Sequence, residues 1–184
     1  RGELDKAYSG FKSLEGSDAY SKLIPFYLLQ LEFERSNFRY VTQHCDALLE
    51  TAQGQERTAV MRLAAEAWFR QENYRQSLQY ITTYAKSVAG DMSREDNYLL
   101  GYTSYRTADY AGAVEPLKAA CNGTDNLAQN ASYHLADCYI RLGDKKNAIR
   151  AFAMAADEHY NNEISEDALF NYGKLIFETG GGMF

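Results

Sequence analysis

One short turn recurs five times along this 184-residue chain, and it constrains the fold more than any other feature. It reads Gly2-Glu3-Leu4, Ser36-Asn37-Phe38, Glu72-Asn73-Tyr74, Ala108-Asp109-Tyr110 and Gly143-Asp144-Lys145. Three residues after each turn stands a small or medium residue: Ala7, Val41, Ser77, Ala113 and Ala148. The steps in that column are 34, 36, 36 and 35 residues. Self-similarity at such a period marks stacked supersecondary units, each covering its neighbour's apolar face.

Each turn is the joint between two antiparallel helices, an A helix before it and a B helix after it. In the B helices Phe11, Cys45, Ile81, Leu117 and Phe152 form one column, and Leu14, Leu48, Tyr84, Ala120 and Ala155 another three residues on. Together with the Ala7 column they give an i, i+4, i+7 apolar stripe. The A helices carry the pairs Leu28-Leu29, Ala64-Ala65, Leu100-Gly101, Leu135-Ala136 and Tyr172-Gly173. Four of the five end in Gly or Ala, which lets a second helix approach closely. Asn37, Asn73, Asp109 and Asp144 stand where B helices begin and suit an N-cap. Ser93 with Asp96 resembles a capping box, Ser165 is placed to cap the last A helix, and Pro25 falls in a first turn, where its missing N–H costs little. Pro116, inside a B helix, predicts a kink or a late start. The resulting map has a leading B helix at 2–15, four pairs at 21–52, 55–88, 93–121 and 127–159, and an unpaired A helix at 165–179.

Composition narrows the function classes. Hydrophobic residues make up 46% of the chain, too many for a disordered one. Only two prolines interrupt it, in keeping with long helices. The net charge of -6 and the lack of any Lys/Arg-rich block argue against nucleic acid or an anionic membrane surface. The longest apolar run, from Leu23 to Leu31, falls far below the ~20 residues of a membrane helix, so no insertion by this segment is expected. Cys45, Cys121 and Cys138 form no CxxC and no even set, and Cys45 and Cys138 read as core fillers.

At this point the residues resemble the tetratricopeptide repeat. Leu135, Ala136, Tyr139, Gly143, Asp144, Ala148, Phe152 and Ala155 match that family's pattern column by column. Leu100, Gly101, Asp109, Tyr110, Ala113, Leu117 and Ala120 form a second good copy. Ala64, Ala65, Trp68, Asn73, Tyr74 and Ile81 form a weaker one, and Leu28, Leu29, Phe38 and Val41 the poorest. The resemblance implies an all-α fold: a right-handed α-solenoid of antiparallel helix pairs. The chain departs from the pattern in lacking the proline that often ends each repeat, in its longer period, and in having no polar capping helix. The last helix instead carries Leu169, Phe170, Ile176 and Phe177, so the expectation is that the native chain continues at both ends or that the ends pack on another molecule.

The resemblance further implies a non-enzymatic scaffold that holds a protein or peptide partner on a concave face lined by the A helices. Mapped onto this chain, that face offers Phe26 and Phe33, then Arg62, Phe69 and Arg70, then Tyr98, Tyr102, Tyr105 and Arg106, then Tyr133 and Arg141, and finally Phe170, Lys174 and Phe177. Tyr98, Tyr102 and Tyr105 lie at i, i+4, i+7 and share one helix face, with Arg106 beside them. Tyr and Arg are enriched at binding hot spots because they combine rigid area with a polar handle. Such a lining suits a partner with apolar or aromatic anchors and acidic groups. The plainer reading is that these aromatics fill the wall between repeats. The Lys/Asn set with which one subclass clamps a C-terminal carboxylate is missing: its places hold Phe26, Gln30, Arg62, Glu66, Tyr98, Tyr102, Tyr133 and Asp137. The alternative to groove binding is assembly or docking through the ends, with Phe170 and Phe177 as the contact residues.

No site of chemistry emerges beside this. His134 and Cys138 are four apart on one helix, but zinc needs about four ligands, and His44, Cys45 and His159 belong to other repeats. No metal and no cofactor is expected. Asp157-Glu158 and Glu166-Asp167 read as solvated helix ends, the latter suited to a first turn. Nothing resembles a phosphate loop, a nucleophile elbow or a dinucleotide fingerprint. Tyr-rich, Pro-poor, long-period arrays look like those of the bacterial envelope. That favours the periplasmic side, anchored by a segment outside this sequence, over the cytoplasm.

Overall fold

A computed structural model describes residues 2–15, 21–89 and 92–180. Among them are ten helices and no strand: α1 (Gly2–Leu14), α2 (Ile24–Glu34), α3 (Phe38–Leu49), α4 (Gly54–Arg70), α5 (Tyr74–Ser87), α6 (Arg94–Arg106), α7 (Tyr110–Ala120), α8 (Asn126–Arg141), α9 (Lys145–Asp157) and α10 (Asn162–Thr179). The chain divides into two units, Arg1–Asp91 and Met92–Phe184. Within each, every helix packs on the next, and alternate helices also touch: α2 with α4, α6 with α8, and α8 with α10. Among the described residues no helix is long and apolar enough to cross a membrane.

The recurring turn has one backbone geometry. Ser36, Glu72, Ala108 and Gly143 take positive φ values of 62, 58, 66 and 77°. Each donates its N–H three residues back, to Phe33, Phe69, Tyr105 or Ile140. The next residue donates five back, to Glu32, Trp68, Ser104 or Tyr139. This pair of bonds is the Schellman motif, and it satisfies carbonyls that a helix end leaves open. That next residue is also the N-cap of the following helix. The side chains of Asn37, Asn73, Asp109 and Asp144 accept the N–H of Tyr40, Gln76, Gly112 and Asn147. Two residues thus end one helix and start another, which explains why the turn dominates the sequence pattern.

The remaining helix starts fit the same logic, with two differences. Ser93 caps α6 by accepting from Asp96 N–H, Asp125 caps α8, and Pro25 lies in the first turn of α2. The last helix starts earlier than Ser165: Asn161 is its cap, accepting from Glu163 and Ile164. Ser165 instead donates to the Glu158 and Asn161 carbonyls. The helix holding Pro116 does not start late; it opens at Tyr110 under the Asp109 cap and runs through the proline to Ala120.

The core follows the columns. Unit 1 buries Leu29, Val41, Cys45, Leu48, Val60, Ala64 and Ala67 together. Unit 2 buries Leu117, Leu135, Phe152 and Leu175 among alanines, with Cys121 and Cys138. Small residues set the helix separation: a Cβ on Gly101 would stand 2.7 Å from Leu117 Cγ. Gln129 is fully buried and ties the α9–α10 loop, with its amide nitrogen 2.6 Å from Glu158 O and 2.9 Å from Ser165 Oγ, while its oxygen accepts Asn161 N–H.

Candidate partner-binding face

The expected lining residues fall into two groups, one in each unit. In unit 1, Phe26 and Phe33 lean on the core beside Leu29 and Val41. Phe33 meets Phe38, the first residue of the next helix, edge-on at 5.5 Å, and Phe69 meets Tyr74 in the same way at 5.7 Å. Glu66 lies between Arg62 and Arg70, 3.5 and 3.2 Å from their guanidinium nitrogens. Arg70 also lies over the Phe38 ring.

Unit 2 holds a denser arrangement. Three-to-four-residue spacing on α6 stacks Tyr98 on Tyr102 at 5.6 Å and sets Tyr102 6.1 Å from Tyr105. From α8, His134 inserts its ring 4.8 Å from Tyr102 and 5.1 Å from Tyr105, with Tyr133 5.6 Å away. Tyr105 turns inward: its ring meets Tyr110, and its hydroxyl donates to Asp137 Oδ2 at 2.8 Å. Tyr133 donates to Asp167 of α10 and packs edge-on against Phe152. Arg106 donates to the Tyr102 hydroxyl at 3.0 Å and lies over that ring. Arg141 lies over Tyr110 and 3.6 Å from Asp137.

Electrostatics follow from burial. The Tyr105 and Tyr133 hydroxyls are held neutral, foremost by desolvation and then by donating to a carboxylate; Tyr133 is pushed up to about 12. His134 is lowered to about 4, chiefly by burial, with Arg106 reinforcing the effect and Asp137 opposing it. Its Nδ1 is buried without a hydrogen-bond partner. A neutral imidazole therefore serves as a flat spacer among tyrosines. Cys138, one helical turn on, is fully buried, and burial pushes its thiol up to about 12. No cluster of metal-ligating groups is found among the described residues.

The sequence pattern missed three participants. Asp137 and Asp167 are acceptors for tyrosines 32 and 34 residues earlier. Asp167 reads as a first-turn charge only if the last helix starts near 165; with α10 opening at Asn162, it lies in the second turn. His134 stands out as a ligand candidate rather than as a ring in an aromatic stack. A tyrosine followed 32–36 residues later by an aspartate is the one signal that could have found the acceptors. Phe170 and Phe177, by contrast, are 69% and 74% exposed on α10 and join neither group.

Capped antiparallel helix pairs of this period, joined by a Schellman turn and packed through a small-residue column, define the class: the chain is an array of tetratricopeptide-type repeats. Comparison with known proteins agrees. The family described as anaphase-promoting complex, cyclosome, subunit 3 matches residues 81–155. Among solved structures, the fold is similar to YrrB, a tetratricopeptide-repeat protein reported to have an unusual peptide-binding site. The TM-score is 0.73 at 12% identity, over 92% of this chain and 84% of that one. It is also similar to MamA from MSR-1 (TM-score 0.60, 13% identity, 85% and 95% coverage) and to a second MamA structure (0.57, 15%, 87% and 92%). No curated protein matches the sequence.

Proposed function

We propose that the protein is a non-enzymatic scaffold that binds a partner protein segment on the face lined by its A-type helices, with Tyr98, Tyr102 and Arg106 of α6 at the centre in unit 2. The observation that carries this reading is the Tyr98–Tyr102–His134 stack bordered by Arg106. It presents flat, half-buried aromatic area beside a guanidinium, the combination that gives hot spots their energy at low entropic cost. Tyr105 and Tyr133 support that surface from beneath, since their hydroxyls are taken by Asp137 and Asp167. The partner chemistry that fits is an aromatic or long apolar anchor flanked by Asp or Glu. YrrB, with its peptide-binding site, offers a parallel at the level of fold.

A peptide array of aromatic-anchored acidic, neutral and basic sequences tests the reading. Wild-type protein should retain the acidic set selectively. Tyr98→Ser/Tyr102→Ser and Arg106→Ala should each weaken retention about tenfold or more, as loss of a hot spot does, with far-ultraviolet circular dichroism unchanged. Equal retention by wild type and both variants overturns it.

A further inference from the structure

Ten asparagines occur in the chain, and nine of them are followed by Phe, Tyr, Leu, Ala, Asn or Glu. Each of those nine is an N-cap or lies within a helix, which fixes the backbone around it. Asn122 is the exception: it is followed by Gly123, is exposed, and lies in the connector between α7 and α8. The Gly123 N–H reaches back only two residues, to the Cys121 carbonyl at 2.9 Å. Such a three-residue turn can open without disturbing a helix.

The glycine is there for room rather than for its backbone conformation. Its φ lies outside the left-handed region, but a Cβ would stand 2.6 Å from Arg94 Nη2 and 2.7 Å from Cζ. That guanidinium is anchored on both sides of the connector. It donates to the Ala120 carbonyl at 3.0 Å and to both carboxylate oxygens of Asp125. Only residues 121–124 lie between the two anchors. The packing that favours glycine at 123 thus sets it directly behind an exposed asparagine.

We propose that Asn122 is a site of spontaneous deamidation, and that its conversion loosens the joint Arg94 makes between α6, α7 and α8. Glycine leaves its nitrogen the least hindered of any residue. The Gly123 nitrogen attacks Asn122 Cγ, and the new C–N bond closes a five-membered succinimide. The side-chain nitrogen leaves as ammonia, carrying the proton from the Gly123 nitrogen. Water then opens one of the two imide carbonyls, giving aspartate or isoaspartate. Either product adds a negative charge that competes with Asp125 for the guanidinium. Isoaspartate also lengthens the main chain by one methylene, in a connector whose two ends a single side chain holds together. The joint sets α6 against α8, whose rings form the proposed binding face, but the inference does not depend on that face.

Wild type and Asn122→Ser, aged together at 37 °C and pH 8 beside a synthetic peptide of residues 117–128, test it. Peptide mass spectrometry should find the wild-type segment holding Asn122 heavier by one mass unit and the other asparagines unchanged. Enzymatic methyl labelling should mark isoaspartate at that position. An Asn122 still intact after the peptide has converted overturns the proposal, because the fold then protects it. Anion exchange separates the converted protein by its added charge. Against aged Asn122→Ser, that fraction should have a lower urea midpoint and faster exchange of the Ala128 amide, which Asp125 caps. Equal midpoints, or unchanged exchange at Ala128, overturn the link to the joint.

Discussion

Arg94 and Asp125 hold each other through two parallel hydrogen bonds, 2.8 Å from Nη1 to Oδ2 and 2.9 Å from Nη2 to Oδ1. Asp125 is also the N-cap of α8, accepting Ala128 N–H, and Arg94 reaches the Ala120 carbonyl at the end of α7. One ion pair therefore joins the start of α6, the end of α7 and the start of α8. The guanidinium lies against Gly123, where a Cβ would approach it to 2.6 Å.

That pair makes acid stability depend on Asp125. Arg94 first, and then the Ala128 N–H, lower its carboxyl to about 2. The folded state thus favours the ionised form, and this stability is complete above the unfolded value of ~3.9 and is lost as pH falls toward 2. The side chains are 29% and 48% exposed, so solvent reduces the effect to roughly 1 kcal/mol. Asp125→Asn, which keeps a good cap, should cost about that much at neutral pH and flatten the loss between pH 4 and 2. Asp125→Ala should cost about 2 kcal/mol, because the cap goes too. Urea unfolding at pH 7, 4 and 2 reads both differences.

His134 should give a second, separate pH window. Its folded value is about 4, below the free value of 6.5, so the unfolded chain binds more protons between those limits. Stability from this group is present above pH 6.5 and is lost as pH falls to 4. His134→Phe keeps a ring among Tyr102, Tyr105 and Tyr133 and should remove that slope. The thermal midpoint of the wild type, minus that of the variant, should fall between pH 6.5 and 4.

The four left-handed turn positions are not equally suited to their residues. Glycine occupies only Gly143; Ser36, Glu72 and Ala108 bear a Cβ at φ of 58–66°, which strains an L-residue. Glu72→Gly and Ala108→Gly should each stabilise by up to about 1 kcal/mol, and Gly143→Ala should destabilise by a similar amount. Chemical denaturation midpoints at constant m-value check the sign at each position.

Gly101 is a packing requirement rather than a turn. Its missing Cβ makes room for Leu117, whose side chain and backbone nitrogen both lie within 3.0 Å of the position a Cβ would take. Gly101→Ala should cost about 1–3 kcal/mol despite its better helix propensity. Leu117→Ala alone opens a cavity at a fully buried site and should cost ~2–5 kcal/mol. The double variant should cost less than the sum, because each change relieves the other's fault.

Gln129 tests the loop. Removing this fully buried amide takes the acceptor from Asn161 N–H and a donor from the Glu158 carbonyl and the Ser165 hydroxyl. Gln129→Leu should destabilise by about 2–4 kcal/mol and raise amide exchange across 158–165.

The order of legibility in this chain follows the range of the interactions. Asn37, Asn73, Asp109 and Asp144 were readable as caps because each acts on a backbone N–H three residues away. The small-residue column was readable because it repeats. Ser165 misled because a hydroxyl near a helix start cannot be assigned until the loop before it is placed. Arg141 and Arg70 were legible as arginines near the expected face, but not as groups laid over Tyr110 and Phe38, rings more than thirty positions earlier.

Sequence alone determined the period, the helix pairs and the turn between them, since each rests on contacts spanning three to five residues along the backbone. Tertiary structure decided what the side chains became. It set the Tyr105 hydroxyl on Asp137 and Tyr133 on Asp167, made His134 a neutral ring, buried Gln129 and left Phe177 open. Those outcomes depend on how neighbouring helices are spaced and rotated, and that geometry is fixed by volumes meeting across the core rather than by any local pattern.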